Sequence, residues 1–260
     1  MEGPRHILIT GGSSGIGEAL ALAYAQSGIR LSLSGRDRER LASVAERCRA
    51  RGAEVESALL DVADATAMAE WLALADKIRP LDLVIANAGV ALPSGMLQEH
   101  GTRVRLTLAV NLMGVVNTVE PAIQLMAPRR RGQIAIMSSL AAFRGFSTNP
   151  AYCASKAAVK VLGEGLRSLH RRNGIGVSVI CPGFVRSPMT AGNKFPMPFL
   201  MDADRAAAII KRGLARNRPR IVFPWQLYAA LWLIVALPAR LTDKVDRPRG
   251  WEGRYKRDSR

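Results

Sequence analysis

Short apolar runs rich in β-formers alternate with amphipathic helical stretches through the first 180 residues, and this alternation constrains the fold more than any other feature. The runs are His6–Thr10 (HILIT), Ile29–Ser34, Val55–Leu60, Leu81–Ala86, Gly132–Ser138 and Gly176–Cys181. Between them the spacing predicts helices over Gly15–Ser27, Asp37–Arg51, Thr66–Ile78, Val104–Met126 and Ala151–Arg172. The fourth run, LDLVIA, is almost wholly apolar, as a strand buried on both faces must be. Strands separated by crossover helices imply an α/β fold: a doubly wound parallel sheet with helices on both faces. Asp204–Arg216 adds a basic helix and Arg220–Phe223 a seventh strand. The 260 residues show no repeat or linker, so residues 1–260 are expected to form a single domain. With 48% hydrophobic and 22% charged residues, the chain is neither disordered nor collagenous.

The first strand runs into Thr10, Gly11, Gly12, Ser13, Ser14, Gly15, Ile16 and Gly17, and a helix starts there. Glycines let the backbone turn tightly and approach a pyrophosphate, and the free N–H groups at a helix start then face that anion. TGGSSGIG resembles the TGxxxGIG signature of the short-chain dehydrogenase/reductase superfamily in its compact branch, and the fold implied is Rossmann-like. Further motifs extend the resemblance. Asp61 and Val62 stand where such proteins place the adenine ring. Asn87, Ala88 and Gly89 match the segment that stabilises the central sheet beside the cofactor, although Ala86 replaces a frequent second Asn. Pro182-Gly183-Phe184-Val185-Arg186-Ser187 resembles the PGxxxT turn, in which Val185 and the Ser187 hydroxyl would meet the nicotinamide carboxamide.

A dinucleotide fold that prefers NAD usually sets an acid on the ribose hydroxyls after the second strand. Here Gly35 holds that place and Arg36 follows. A guanidinium there suits a 2′-phosphate, so NADP(H) is favoured and NAD(H) is the alternative, with Asp37 able to serve the ribose.

Tyr152 and Lys156 lie four apart on a predicted helix, on one face. With Ser139 and Asn111 they are similar in order and spacing to the family's catalytic Asn–Ser–Tyr–Lys tetrad. Reducing a ketone takes a hydride and a proton. A free phenol, with a pKa near 10, is a poor acid–base at neutral pH unless a neighbouring ammonium lowers it. The expectation is therefore that Lys156 lowers the Tyr152 pKa, Tyr152 moves the proton and Ser139 holds the substrate oxygen. The resemblance further implies that Lys156 binds the nicotinamide ribose and that Asn111 positions a relay water. Ser138 should point to the other side of its strand. Cys153 is expected to be a small buried residue.

Residues 187–216 are expected to cover the substrate. Met189, Phe195, Met197, Phe199, Leu200 and Met201 make the segment apolar, which suggests a lipophilic carbonyl or alcohol. The predicted function is thus an NADP(H)-dependent oxidoreductase; a nonenzymatic dinucleotide sensor and a membrane-docked scaffold are the rivals. Ile221–Ala239 carries no charge, but Pro224 and Pro238 limit its helix to Trp225–Leu237, too short to span a bilayer. It is read either as a core or subunit-interface helix or as one lying on a membrane. Residues 221–260 also include a basic tail: from Arg205 to Arg260, 14 basic residues face 4 acidic ones in a chain of net charge +16. No nucleic-acid module is present. Cys48, Cys153 and Cys181 have no CxxC spacing and no metal-site pattern occurs, which fits a cytoplasmic protein, at most attached to the inner face of a membrane. The resemblance implies a homodimer or homotetramer formed through the Asn111 and Tyr152 helices.

Overall fold

The computed structural model describes residues 3–92, 97–193 and 195–238. Seven parallel strands are β1 (His6–Thr10), β2 (Arg30–Gly35), β3 (Glu54–Leu59), β4 (Leu83–Ala86), β5 (Gly132–Met137), β6 (Ile175–Pro182) and β7 (Arg220–Phe223). They form one sheet in the order β3-β2-β1-β4-β5-β6-β7. The chain winds outward in one direction from β1 and then in the other from β4. The connections after β1 and β4 therefore leave on opposite faces and open a crevice at the strands' carboxyl ends.

The helices follow from the sequence between strands: α1 (Gly15–Tyr24), α2 (Arg38–Arg49), α3 (Ala65–Ile78), α4 (Leu97–Leu108), α5 (Gly114–Met126), α6 (Pro150–His170), α7 (Pro188–Ala191), α8 (Ala203–Ala215) and α9 (Trp225–Ala236). Asp37 and Asp64 cap α2 and α3 by accepting the Arg40 and Ala67 N–H groups, each at 3.0 Å. Asn149 caps α6, and Pro150 supplies its first turn, so the helix starts one residue earlier than its periodicity predicts.

The strict period of two along the strands divides the core. Ile7 and Ile9 of β1, Leu83 and Ile85 of β4, and Ala135 and Met137 of β5 pack with α1, α2 and α8 on one face. Leu8, Val84, Ile134 and Ile136 pack with α3, α5 and α6 on the other. Each fully buried Leu or Ile contributes about 1.5–3 kcal/mol relative to exposure.

The single long helix expected over Val104–Met126 is instead α4 and α5 joined by a π-helical turn, Ala109–Met113. The extra residue in that turn re-aims Asn111 into the protein.

Candidate active site

A cleft of about 650 Å³ opens at the carboxyl ends of β1, β4, β5 and β6, where the strand order predicts a ligand crevice. Its floor is the glycine bend. Gly15 adopts φ +57°, and a Cβ added there would sit 2.9 Å from Ser187 Cβ. A Cβ on Gly17 would lie 2.2 Å from the Gly11 carbonyl oxygen, so only glycine lets α1 approach the β1 end this closely. The side chain of Ser14, the residue before α1, makes no capping hydrogen bond, which leaves the first N–H groups of the helix facing the cleft. A backbone-lined bend of this kind fits a dinucleotide pyrophosphate, with Gly11, Ser13, Ser14, Gly15 and Ile16 lining it.

The remaining walls follow in order. Asp61 and Val62 close one end; Asn87, Ala88 and Gly89 form the middle; Pro182, Gly183, Val185 and Ser187 form the far side. Arg36 lines the cleft beside Gly35, where a Cβ would already be 3.0 Å from Ser13 Oγ. Asp37 caps α2 and pairs with Arg40 Nε at 2.7 Å, so its carboxylate is engaged, and these hydrogen bonds hold its pKa below the usual value.

Tyr152, Ser139 and Lys156 meet at the inner end. Lys156, only 3% exposed, lies with Nζ 5.7 Å from the Tyr152 ring centroid and donates to the Met137 carbonyl at 2.9 Å. Burial pushes its pKa down to about 8. Burial also raises the Tyr152 pKa, and the hydrogen bond with Ser139 pulls the other way. This corrects the expectation drawn from the sequence. Desolvation outweighs any lowering of the phenol, and the neighbour that opposes it is Ser139 rather than Lys156. Ser138 also lines the cleft, but its hydroxyl donates to the Lys156 carbonyl at 2.8 Å. Cys153 is buried.

Three residues expected in the site do not line the cleft. Thr10 is buried, with Oγ1 accepting the Asn87 and Ala88 N–H groups at 3.0 and 3.1 Å. Gly17 lies behind the bend against the Asn87 amide, which donates to the Thr10 and Gly11 carbonyls. Asn111 is fully buried: its side chain bonds the Val90 N–H and carbonyl at 2.8 and 2.9 Å and reaches Ser155 Oγ at 3.0 Å. All three brace the loops that carry the lining. Sequence reasoning missed Arg40, Val90 and Thr190 among the lining residues. Thr190 Oγ1 accepts the Ser187 N–H at 3.0 Å and donates to the Val185 carbonyl at 2.8 Å, fixing both residues. The three-residue spacing from Ser187, typical of a capping box, was the available signal.

The short chain dehydrogenase family model matches residues 5–195. The chain belongs to the short chain dehydrogenase family. An uncharacterized oxidoreductase of Myxococcus xanthus is 39% identical over 244 residues, covering 94% of this chain and 96% of that protein. A short-chain dehydrogenase from Sphingobium yanoikuyae, solved in complex with NADPH, superposes with a TM-score of 0.79 at 26% identity, over 94% of this chain and 97% of that one. A short chain dehydrogenase/reductase from Burkholderia phymatum, solved in complex with NAD, shares the fold with a TM-score of 0.80 at 24% identity, over 94% and 96% of the two chains. This dehydrogenase is accordingly an oxidoreductase acting on CH–OH groups. In the segment expected to cover the substrate, Met189 lines the cleft, Phe195 stacks edge-on against Phe184 at 5.9 Å, and Met201 packs inward beside Val185.

Proposed function

We propose that this dehydrogenase interconverts a lipophilic ketone or aldehyde and its alcohol with NADP(H), Tyr152 moving the proton. The observation that carries the reading is the meeting of Tyr152 with Ser139 and Lys156 on one wall of a backbone-lined cleft. Bound there, the nicotinamide would supply or accept the hydride.

The residues divide the remaining work. With its pKa raised, Tyr152 stays protonated at neutral pH and donates to the oxygen of a carbonyl being reduced. Ser139 holds that oxygen against the phenol. The Lys156 ammonium, fixed by the Met137 carbonyl, stabilises negative charge arising on the phenolate once its proton has left. In the reverse direction the phenolate is the base. Asn111 contributes by locking the Val90 loop and Ser155 together beneath Lys156.

The cofactor preference rests on Arg36. It is exposed on the cleft wall, whereas the nearby carboxylate, Asp37, is already paired with Arg40. A guanidinium without a competing free acid favours a 2′-phosphate over ribose hydroxyls. Solved relatives hold NADPH in one case and NAD in another, so the choice rests on Arg36 alone. The lipophilic substrate class is supported by Met189 in the lining and by the half-exposed Phe195 and Phe199 that follow it in the chain. A dimer formed through the Asn111 and Tyr152 helices would cover Leu106, Met113, Val161 and Leu169, all outward-facing.

The test is a panel of carbonyls and alcohols of increasing apolar length, followed by nicotinamide absorbance with both cofactors. Tyr152→Phe should cut turnover by about 10²–10⁴-fold while NADPH still binds. Turnover near wild type would overturn the proton assignment. Arg36→Ala should raise the KM for NADPH by about tenfold or more, as expected for loss of a charge-assisted bond, and leave that for NADH nearly unchanged. Equal changes would overturn the 2′-phosphate role.

A further inference from the structure

We propose that the outward face of α9 is a docking surface for an anionic lipid bilayer, a role separate from the oxidoreductase chemistry. Among the described residues, the helix is attached to the fold along one side. Tyr228 stacks edge-on against Phe143 with ring centroids 5.2 Å apart, and its hydroxyl accepts from Arg220 at 3.4 Å. Arg220 is paired in turn with Glu164. Leu227 packs over Gly183 at the cleft.

Trp225, Ala229, Trp232, Leu233 and Ala236 recur at helical spacing on the opposite side. Trp225 is 72% exposed, Trp232 65% and Leu233 63%, and no residue of α9 is buried. Nothing charged interrupts this surface, since Gln226 is the one strongly polar residue between Ile221 and Ala239. An isolated exposed Leu needs no explanation, but a continuous apolar stripe with two tryptophans does. Tryptophan is the residue type that settles at the boundary between lipid chains and water.

The length of α9 decides how it would sit. Its 12 residues extend about 18 Å, against about 30 Å for a hydrocarbon core, so it lies in the plane of the interface. The protein body takes the place of the polar face of a free amphipathic helix. By contrast Gly101–Met126, which is long and apolar enough to span, has half of its most apolar stretch buried inside the fold.

Charge selects the partner. From Arg240 onward the sequence carries eight Lys and Arg against four Asp and Glu, directly following the helix. Anionic headgroups attract such a segment, at about 1 kcal/mol per cation near the surface. A second copy seated on α9 would instead bring two strongly basic C-terminal segments together.

The experiment is co-sedimentation of the full chain with vesicles of phosphatidylcholine alone, or of phosphatidylcholine and phosphatidylglycerol mixed three to one, at physiological salt. The wild type should partition onto the mixed vesicles about tenfold or more above the neutral ones. The double variant Trp232→Glu with Leu233→Glu should lose about tenfold in partition to the mixed vesicles and keep its melting temperature and its NADPH binding. The milder Trp232→Ser should lose part of the partition, and it replaces the double variant if that melts early. Sedimentation of both variants like the wild type would overturn the proposal, because charge alone would then bind. Failure of the wild type to sediment with mixed vesicles would overturn it too. If in that case the wild type self-associates and the variants do not, the occupant is a second copy. NADPH binding and turnover are read separately, so this result leaves the oxidoreductase reading standing or falling by itself.

Discussion

Between Gly11 and Pro182 the cleft is lined from the ends of strands whose side chains are buried on both faces; at Met189, Phe195, Phe199 and along α9 the large apolar side chains face outward. The two regions use similar residue types to different ends. In the first, Ile7, Leu8 and Ile9 alternate between two core faces, so the strand end is immobilised and the backbone following it is held at a fixed distance from a ligand. In the second, Phe195 meets Phe184 and Tyr228 meets Phe143, but much of the apolar surface, Trp225, Trp232 and Leu233 above all, stays exposed. The contrast separates residues that determine fold and cradle from residues that determine what the cradle meets.

The largest test of this contrast is Leu20→Ala in α1. Leu20 is fully buried beneath the glycine bend's helix, and its truncation should cost about 2–5 kcal/mol in denaturant unfolding. A loss below about 1 kcal/mol would mean that α1 is loosely packed and that the cradle has no rigid support.

The next test compares two glycines. Gly17→Ala drives a Cβ to within 2.2 Å of the Gly11 carbonyl oxygen, a backbone atom that cannot swing aside. About 1–3 kcal/mol of stability should be lost, with NADPH affinity falling in the same titration. Gly192→Ala meets open space after α7 at φ −83°, so it should be neutral or stabilise by up to about 1 kcal/mol. Equal effects in thermal melts would erase the distinction.

Much of this organisation is legible in the sequence. Strands buried on two faces must be apolar along their whole length, so HILIT and LDLVIA declare themselves, and Arg220–Phe223 has the bounds its apolar run predicts. Gly11, Gly15 and Gly17 are legible because few other residues tolerate such a bend. What was not legible depends on direction or environment. The π-helical turn carries no compositional signal, and neither do the bonds from the Asn111 amide to Val90 and Ser155. Thr10 and Gly17 belong to the right motif but face away from the cleft. The pairing of Asp37 with Arg40 and the place of Thr190 depend on side-chain closure across three residues, which a pattern of residue types leaves open. The phenol's pKa was misjudged because charge proximity is visible in a YxxxK spacing and desolvation is not.

Desolvation gives the third test. Burial lowers the Lys156 pKa to about 8, so its ammonium is present below that pH and is lost as pH rises through it. The Tyr152 pKa is raised, so the phenol keeps its proton over the same range. For carbonyl reduction, kcat/KM, which reports the free enzyme, should hold steady from neutral pH to about 8 and then fall about tenfold per unit. Met189, which lines the cleft, has no ionisable group, so Met189→Ala should change KM for an apolar substrate and leave this limb where it is. A limb that moves with Met189 would couple the two regions.

The smallest expected effect is the most discriminating. Trp232 is 65% exposed, and its neighbours Leu233 and Ala236 are exposed as well. Without lipid, Trp232→Ala should change stability by no more than about 0.5 kcal/mol, the range of surface substitutions that touch no cap, ion pair or core. A buried aromatic truncated in the same way would cost about 3–5 kcal/mol. The melting curve therefore distinguishes a tryptophan that packs from one that waits. If Trp232→Ala cost several kcal/mol, α9 would belong to the folded core and its outward stripe would already be covered. If the cost stays within half a kilocalorie, Trp232 does not pack into the fold, and its exposed ring is free for the bilayer contact proposed above.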